Sequence, residues 1–79
     1  MSKIEGLGEK SSAWLHEIDI HSLEEIRALG VVEVYRRLKA RFPREITLNM
    51  LWGLESALTG IPWNKIPDEV KADLRAQVE

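Results

Sequence analysis

Apolar positions recur along the chain at three- and four-residue steps, and no sustained two-residue alternation competes with them. Trp14, Leu15 and Ile18 predict a first helix over residues 11–18, with Glu9 placed where a helix start favours negative charge. The string "IDIH" interrupts the pattern. Ser22 then offers an N-cap with Glu25 three residues on, a capping box that starts a second helix running to Leu29 and pairing with the first as a hairpin. Gly30 breaks that helix. Val31, Val34, Tyr35, Leu38 and Phe42 form the stripe of a third, which Pro43 ends. Thr47 is positioned to cap a fourth helix, "LNMLWGLESAL", apolar enough to be the central buried element, with Gly60 in the C-terminal stop position. "IPWNKIP" reads as a rigid connection. Pro67, Asp68 and Glu69 open a fifth helix whose Val70, Leu74 and Val78 share one face. The fold class expected is all-α: one domain spanning residues 1–79, a compact array of about five short helices.

Composition narrows the setting. A chain of 79 residues has a narrow stability margin, and without cysteine it draws on neither disulfides nor thiolate chemistry. Nothing in the sequence suggests export or a membrane span, so a cytoplasmic protein is expected, with no membrane partner. The net charge of -2 argues against a surface that is basic all over, and leaves room for a local basic patch.

Four constellations could carry chemistry. "HEIDIH" resembles the helical zinc motif, but His16 and His21 are five apart instead of four. On a continuous helix that rotates them by about 140°, and the helix also ends between them. A bent backbone could still bring His16, Asp19 and His21 together, but solvated hairpin residues are the favoured reading and no metal is expected. Ser11, Ser12 and Ser56 have no spacing that pairs them with a base, and no catalytic residue or enzymatic activity is expected. The run "YRRLKARFPR" supplies Arg36, Arg37, Lys39, Arg41 and Arg44 as candidate phosphate contacts. Against that, Glu33 sits one turn before Arg37 as an ion-pair partner, and a solvated helix face is the favoured reading. "GLGEK" sets Gly6 and Gly8 ahead of a helix, with Lys10 as a point charge. Such a turn can cradle a nucleic-acid phosphate or simply start a helix, and Glu9 opposes the first of these.

Three tryptophans and one acid remain. Trp14 and Trp52 are expected inside as core volume, and Trp63 as a lid over the fourth helix whose exposure would mark a partner contact. Glu55 falls on an apolar face, so a structural partner is expected for it: a helix N-terminus, an Arg or a Lys.

Taken together and in order, "LGEKSSAWL", "LGVVEVYRRLK" and "LNMLWGLESALTGIPWN" resemble the C-terminal domain of the TfoX (Sxy) family of bacterial competence regulators. The resemblance covers residues 4–74 and implies a bacterial source, a helix-hairpin-helix-like fold of five helices and a role in positive regulation of DNA-uptake genes. It implies no catalytic residue and no cofactor. The longer members carry a separate N-terminal domain, which is not expected here. Asp19 stands at the hairpin position where such motifs usually have glycine, which asks a non-glycine residue to adopt or avoid a left-handed turn. The function expected is a non-enzymatic regulatory module acting through a protein partner. The alternative is direct DNA-backbone binding through Gly6, Gly8, Lys10, Arg36, Arg37, Arg41 and Arg44. Self-association is a further expectation, since a small core with three tryptophans can leave an apolar patch.

Overall fold

The computed structural model describes Ile4 and residues 7–78. They form α1 (Glu9–Glu17), α2 (Leu23–Leu29), α3 (Val31–Arg41), α4 (Leu48–Thr59), a single 3-10 turn (Trp63–Lys65) and α5 (Asp68–Val78), with no strand among the described residues. The all-α expectation of five helices holds, with shifts at the ends that have local causes. α1 starts at Glu9 because Gly8 already serves as its N-cap, its carbonyl accepting the Ser12 N–H at 2.9 Å. It ends at Glu17 because Asp19 takes up the left-handed turn, at φ 61. Aspartate tolerates that region better than most residues, which lets the hairpin form without glycine.

Ser22 caps α2 as its sequence suggests, its Oγ accepting the Glu25 N–H at 3.3 Å. The Glu25 carboxylate reaches back to the His21 N–H at 2.9 Å, one residue earlier than in the reciprocal capping box. Gly30 closes α2, donating to the Ile26 carbonyl at 2.7 Å, and opens α3, accepting from the Val34 N–H at 3.1 Å. Its φ of 88 and ψ of 147 lie where a side chain is strained, so this position is a glycine for conformational reasons. Two expected helix starts differ in detail. The Thr47 side chain makes no capping bond, and only its carbonyl is used, accepting from the Met50 N–H. Pro67 precedes α5 instead of standing in its first turn, and its carbonyl accepts from Val70 and Lys71.

The core is one cluster centred on the seam between α3 and α4. Val34 and Leu38 of α3 and Leu51 and Leu54 of α4 are all fully buried in it, and Leu15 of α1, Ile26 of α2 and Leu74 of α5 belong to the same cluster. Each such side chain contributes about 1.5 to 3 kcal/mol relative to exposure. α4 packs against α2, α3, α5 and the 3-10 turn, the central position its apolar density predicts.

Polar side chains fasten the rest. Lys39 Nζ donates to the carbonyls of Pro43 and Ile46 at 2.9 and 2.7 Å, closing the turn after α3. Arg36 Nη2 donates to the Gln77 carbonyl at 2.7 Å, placing a cation at the negative end of the α5 dipole. At the N-terminal end, the buried Ser12 hydroxyl accepts the N–H of buried Ile4 at 2.9 Å.

Trp14 and Trp52 are half-buried flanks of the core instead of its interior. Each ring carries a lysine on its outer face, Lys10 Nζ 5.2 Å from the Trp14 ring centre and Lys71 Nζ 5.8 Å from that of Trp52. Glu55 is corrected likewise. It is half-buried, and its carboxylate meets no donor among the described residues. A carboxylate at the rim keeps its water, so the desolvation that demands a partner in a core never arises. No described helix is long and apolar enough to cross a membrane.

Candidate functional site

The glycine turn before α1 is the first place to look for a phosphate grip. Gly6 lies outside the described residues. Gly8 is exposed, but its φ of -76 and ψ of 172 are ordinary extended backbone open to any residue, and nothing lies within 4 Å of where a Cβ would sit. Ile4 is buried, Leu7 is half-buried and donates its N–H to the Ile4 carbonyl at 3.0 Å, and Lys10 lies over Trp14. The geometry here is that of a helix start.

The basic run is largely engaged by the fold. Arg36 holds the end of α5, Arg37 pairs with Glu33 at 2.9 Å, and Arg41 reaches Glu17 at 3.7 Å while lying 5.3 Å from the Phe42 ring centre. Arg44 makes no such contact among the described residues. These surface pairs are individually weak, about 0.2 to 1 kcal/mol, so they do not lock the cations away. They do point them in several directions, along α3 toward α5 and across to α1, where a phosphate backbone needs them in line.

His16 and His21 behave differently from their spacing. Because the helix stops at Glu17 and the chain turns back at Asp19, the two imidazoles meet, ring centres 4.6 Å apart, with their Nδ1 atoms in hydrogen-bonding contact. A rotation argument that assumes a continuous helix fails at a turn. No group of three or more His, Cys, Asp or Glu able to hold a metal occurs among the described residues.

Apart from a hollow beside α5 lined by Trp52, Asp68, Lys71 and Arg75 among others, a further feature is a pair of open troughs on the outer face of α4. One is lined by Asn49, Gly53 and Trp63; the other, toward α1, by Ser11, Trp14, Glu45, Thr47, Asn49, Met50 and Gly53. Asn49 and Gly53, one turn apart, belong to both. Trp63 is 59% exposed at the edge of the first, with Ile61 also exposed nearby in the chain. Of the residues singled out from sequence, Trp63 lines the first trough and Ser11, Trp14 and Thr47 the second, and neither is lined by the arginines of α3.

Gly53 is the residue that pattern reading passes over. A glycine inside a helix costs about 0.8 to 1.0 kcal/mol relative to alanine. Here that cost is not imposed by the chain's own packing, since a Cβ would meet nothing within 4 Å. The visible signal was a lone glycine within an otherwise strong helix pattern, "LNMLWGLESAL". Its effect is to leave bare backbone where the two troughs meet.

Neither the curated proteins nor the solved structures gave a match to this chain. The family comparison did: the model of the TfoX C-terminal domain matches residues 1–78, so the motifs seen in the sequence and the five-helix fold converge, and the chain belongs to the TfoX C-terminal domain family.

Proposed function

We propose that this chain is a non-enzymatic regulatory module of the cytoplasm that takes an apolar side chain of a protein partner into the troughs over Gly53, with Trp63 as the anchor. The observation that carries this is the combination of a 59% exposed tryptophan with a helical glycine whose missing side chain the fold does not require. Large aromatics at the rim of a hollow are the side chains that dominate protein contacts. Membership of a family of competence regulators supports a regulatory setting, and a partner in the control of DNA-uptake genes fits it. Direct DNA binding is the less supported reading, because Arg36, Arg37 and Arg41 are directed to α5, α3 and α1.

A photo-reactive residue placed at position 63 and, separately, at position 37 in the living source cell tests the proposal. Position 63 is expected to trap a discrete protein, position 37 not, and Gly53→Leu is expected to abolish the trap. A trapped species of twice the chain's own mass would identify the partner as a second copy. Fluorescence anisotropy of labelled duplex DNA tests the alternative. Binding that falls steeply with salt and disappears in Lys10→Glu or Arg44→Glu, with no trap at position 63, would replace the proposal by the DNA reading.

A further inference from the structure

From the turn between α1 and α2 we infer that His16 and His21 form a two-nitrogen site for a borderline transition cation, of the Ni²⁺, Cu²⁺ or Zn²⁺ class. Convergence is the first support. The two Nδ1 atoms are in hydrogen-bonding contact, so one imidazole holds a proton on Nδ1 and directs it at the other's lone pair. The rings therefore meet nitrogen to nitrogen, the N–H of one and the lone pair of the other directed at a common point. A metal ion taking that point displaces the shared Nδ1 proton, which is taken up at Nε2 of the same ring, so that both imidazoles bind as neutral ligands with their protons on Nε2.

The backbone that presents the pair is fixed independently of the rings. Asp19 at φ 61 reverses the chain, Ile20 is buried, its N–H donating to the Leu15 carbonyl at 2.9 Å, and the His21 N–H is held by the Glu25 carboxylate at 2.9 Å. The His21 side chain itself is exposed and can adjust to the metal–nitrogen distance of about 2.0 to 2.1 Å. Between His16 and Ile26 the chain carries Glu17, Asp19, Glu24 and Glu25 and neither lysine nor arginine, a local field that attracts cations. Of these, Glu17 is shared with Arg41 at 3.7 Å.

Imidazole selects the class of ion. Neutral ring nitrogens suit nickel, copper and zinc, whereas magnesium and calcium take oxygen donors. With no third His, Cys, Asp or Glu converging among the described residues, the ion's other positions are held by water and stay open to a donor from a partner. Bound there, it staples the end of α1 to the residue ahead of the α2 N-cap.

The test uses the full chain without an affinity tag. It contains two histidines, so the imidazole signals in a proton NMR spectrum are assignable by substitution. On titration with NiCl₂, both rings are expected to broaden together at substoichiometric metal, with calorimetry giving one ion per chain. His16→Gln or His21→Gln is expected to lower the affinity by at least about ten-fold, since the second nitrogen of a chelate binds intramolecularly. Broadening of the two rings at separate metal concentrations overturns the inference, as does full affinity in either variant. Loss of the nickel broadening on adding an equal concentration of MgCl₂ also overturns it, because carboxylates would then be the ligands. The NMR titration needs no substitution, so a variant that folds poorly does not blunt the test.

Discussion

Two faces of the molecule treat their conspicuous residues in opposite ways. On α3, Arg36, Arg37, Lys39 and Arg41 all find acceptors within the chain: Arg36 and Arg41 reach other helices, Lys39 steadies the turn after α3, and Arg37 pairs with Glu33 along α3 itself. On the outer face of α4, Trp63 stays exposed, and Gly53 weakens its own helix although no neighbouring group needs the space its missing side chain leaves. The residues that look functional by charge serve the fold, and those that look like filler are the ones the fold does not explain.

That contrast can be sharpened on α4 itself, where neighbouring residues point opposite ways. Leu54 is fully buried, and Leu54→Ala is expected to cost about 2 to 5 kcal/mol in urea unfolding, a large share of the stability of so small a chain. Gly53→Ala is expected to do the reverse, adding about 1 kcal/mol while partly filling the troughs. A stabilised variant that loses the position-63 trap would mark Gly53 as kept for binding. A Gly53→Ala chain that is less stable than the parent would break the contrast, because the glycine would then serve packing. The smallest effect belongs to α3. Arg37→Ala removes an exposed i,i+4 pair and is expected to cost about 0.3 to 0.5 kcal/mol, fading as salt is raised. A clearly larger loss would show that the basic face holds the fold more firmly than surface pairs do.

Features set by near neighbours were legible in the sequence. The Ser22–Glu25 cap, the Gly30 break and the α3 stripe each depend on residues within one or two turns, and the structure shows all three. Features set by the return of the chain were not. Gln77 lies 41 residues beyond Arg36, and no periodicity announces their hydrogen bond. The helix end between the histidines was legible, but that the two rings meet was not, because it depends on the left-handed turn at Asp19, which cancels the helical rotation on which spacing arguments rest. Trp14 and Trp52 were placed too deep because size suggests burial, whereas each packs against the core with one face and lies under a lysine, four residues before Trp14 but nineteen beyond Trp52. The troughs were illegible for a different reason: a surface hollow is a statement about missing atoms.

Gly30 carries one more consequence. It is the last residue bonded to α2 and the first bonded to α3, so nothing separates the two helices that could lengthen, shorten or flex. The chain's slack lies elsewhere, between α3 and α4 and between α4 and α5, where several residues intervene. Insertions there change a loop. A single residue inserted at Gly30 would swing the whole α3 axis, and with it the Arg36 clasp on α5, so the corner between α2 and α3 is the part of this architecture least free to vary in length.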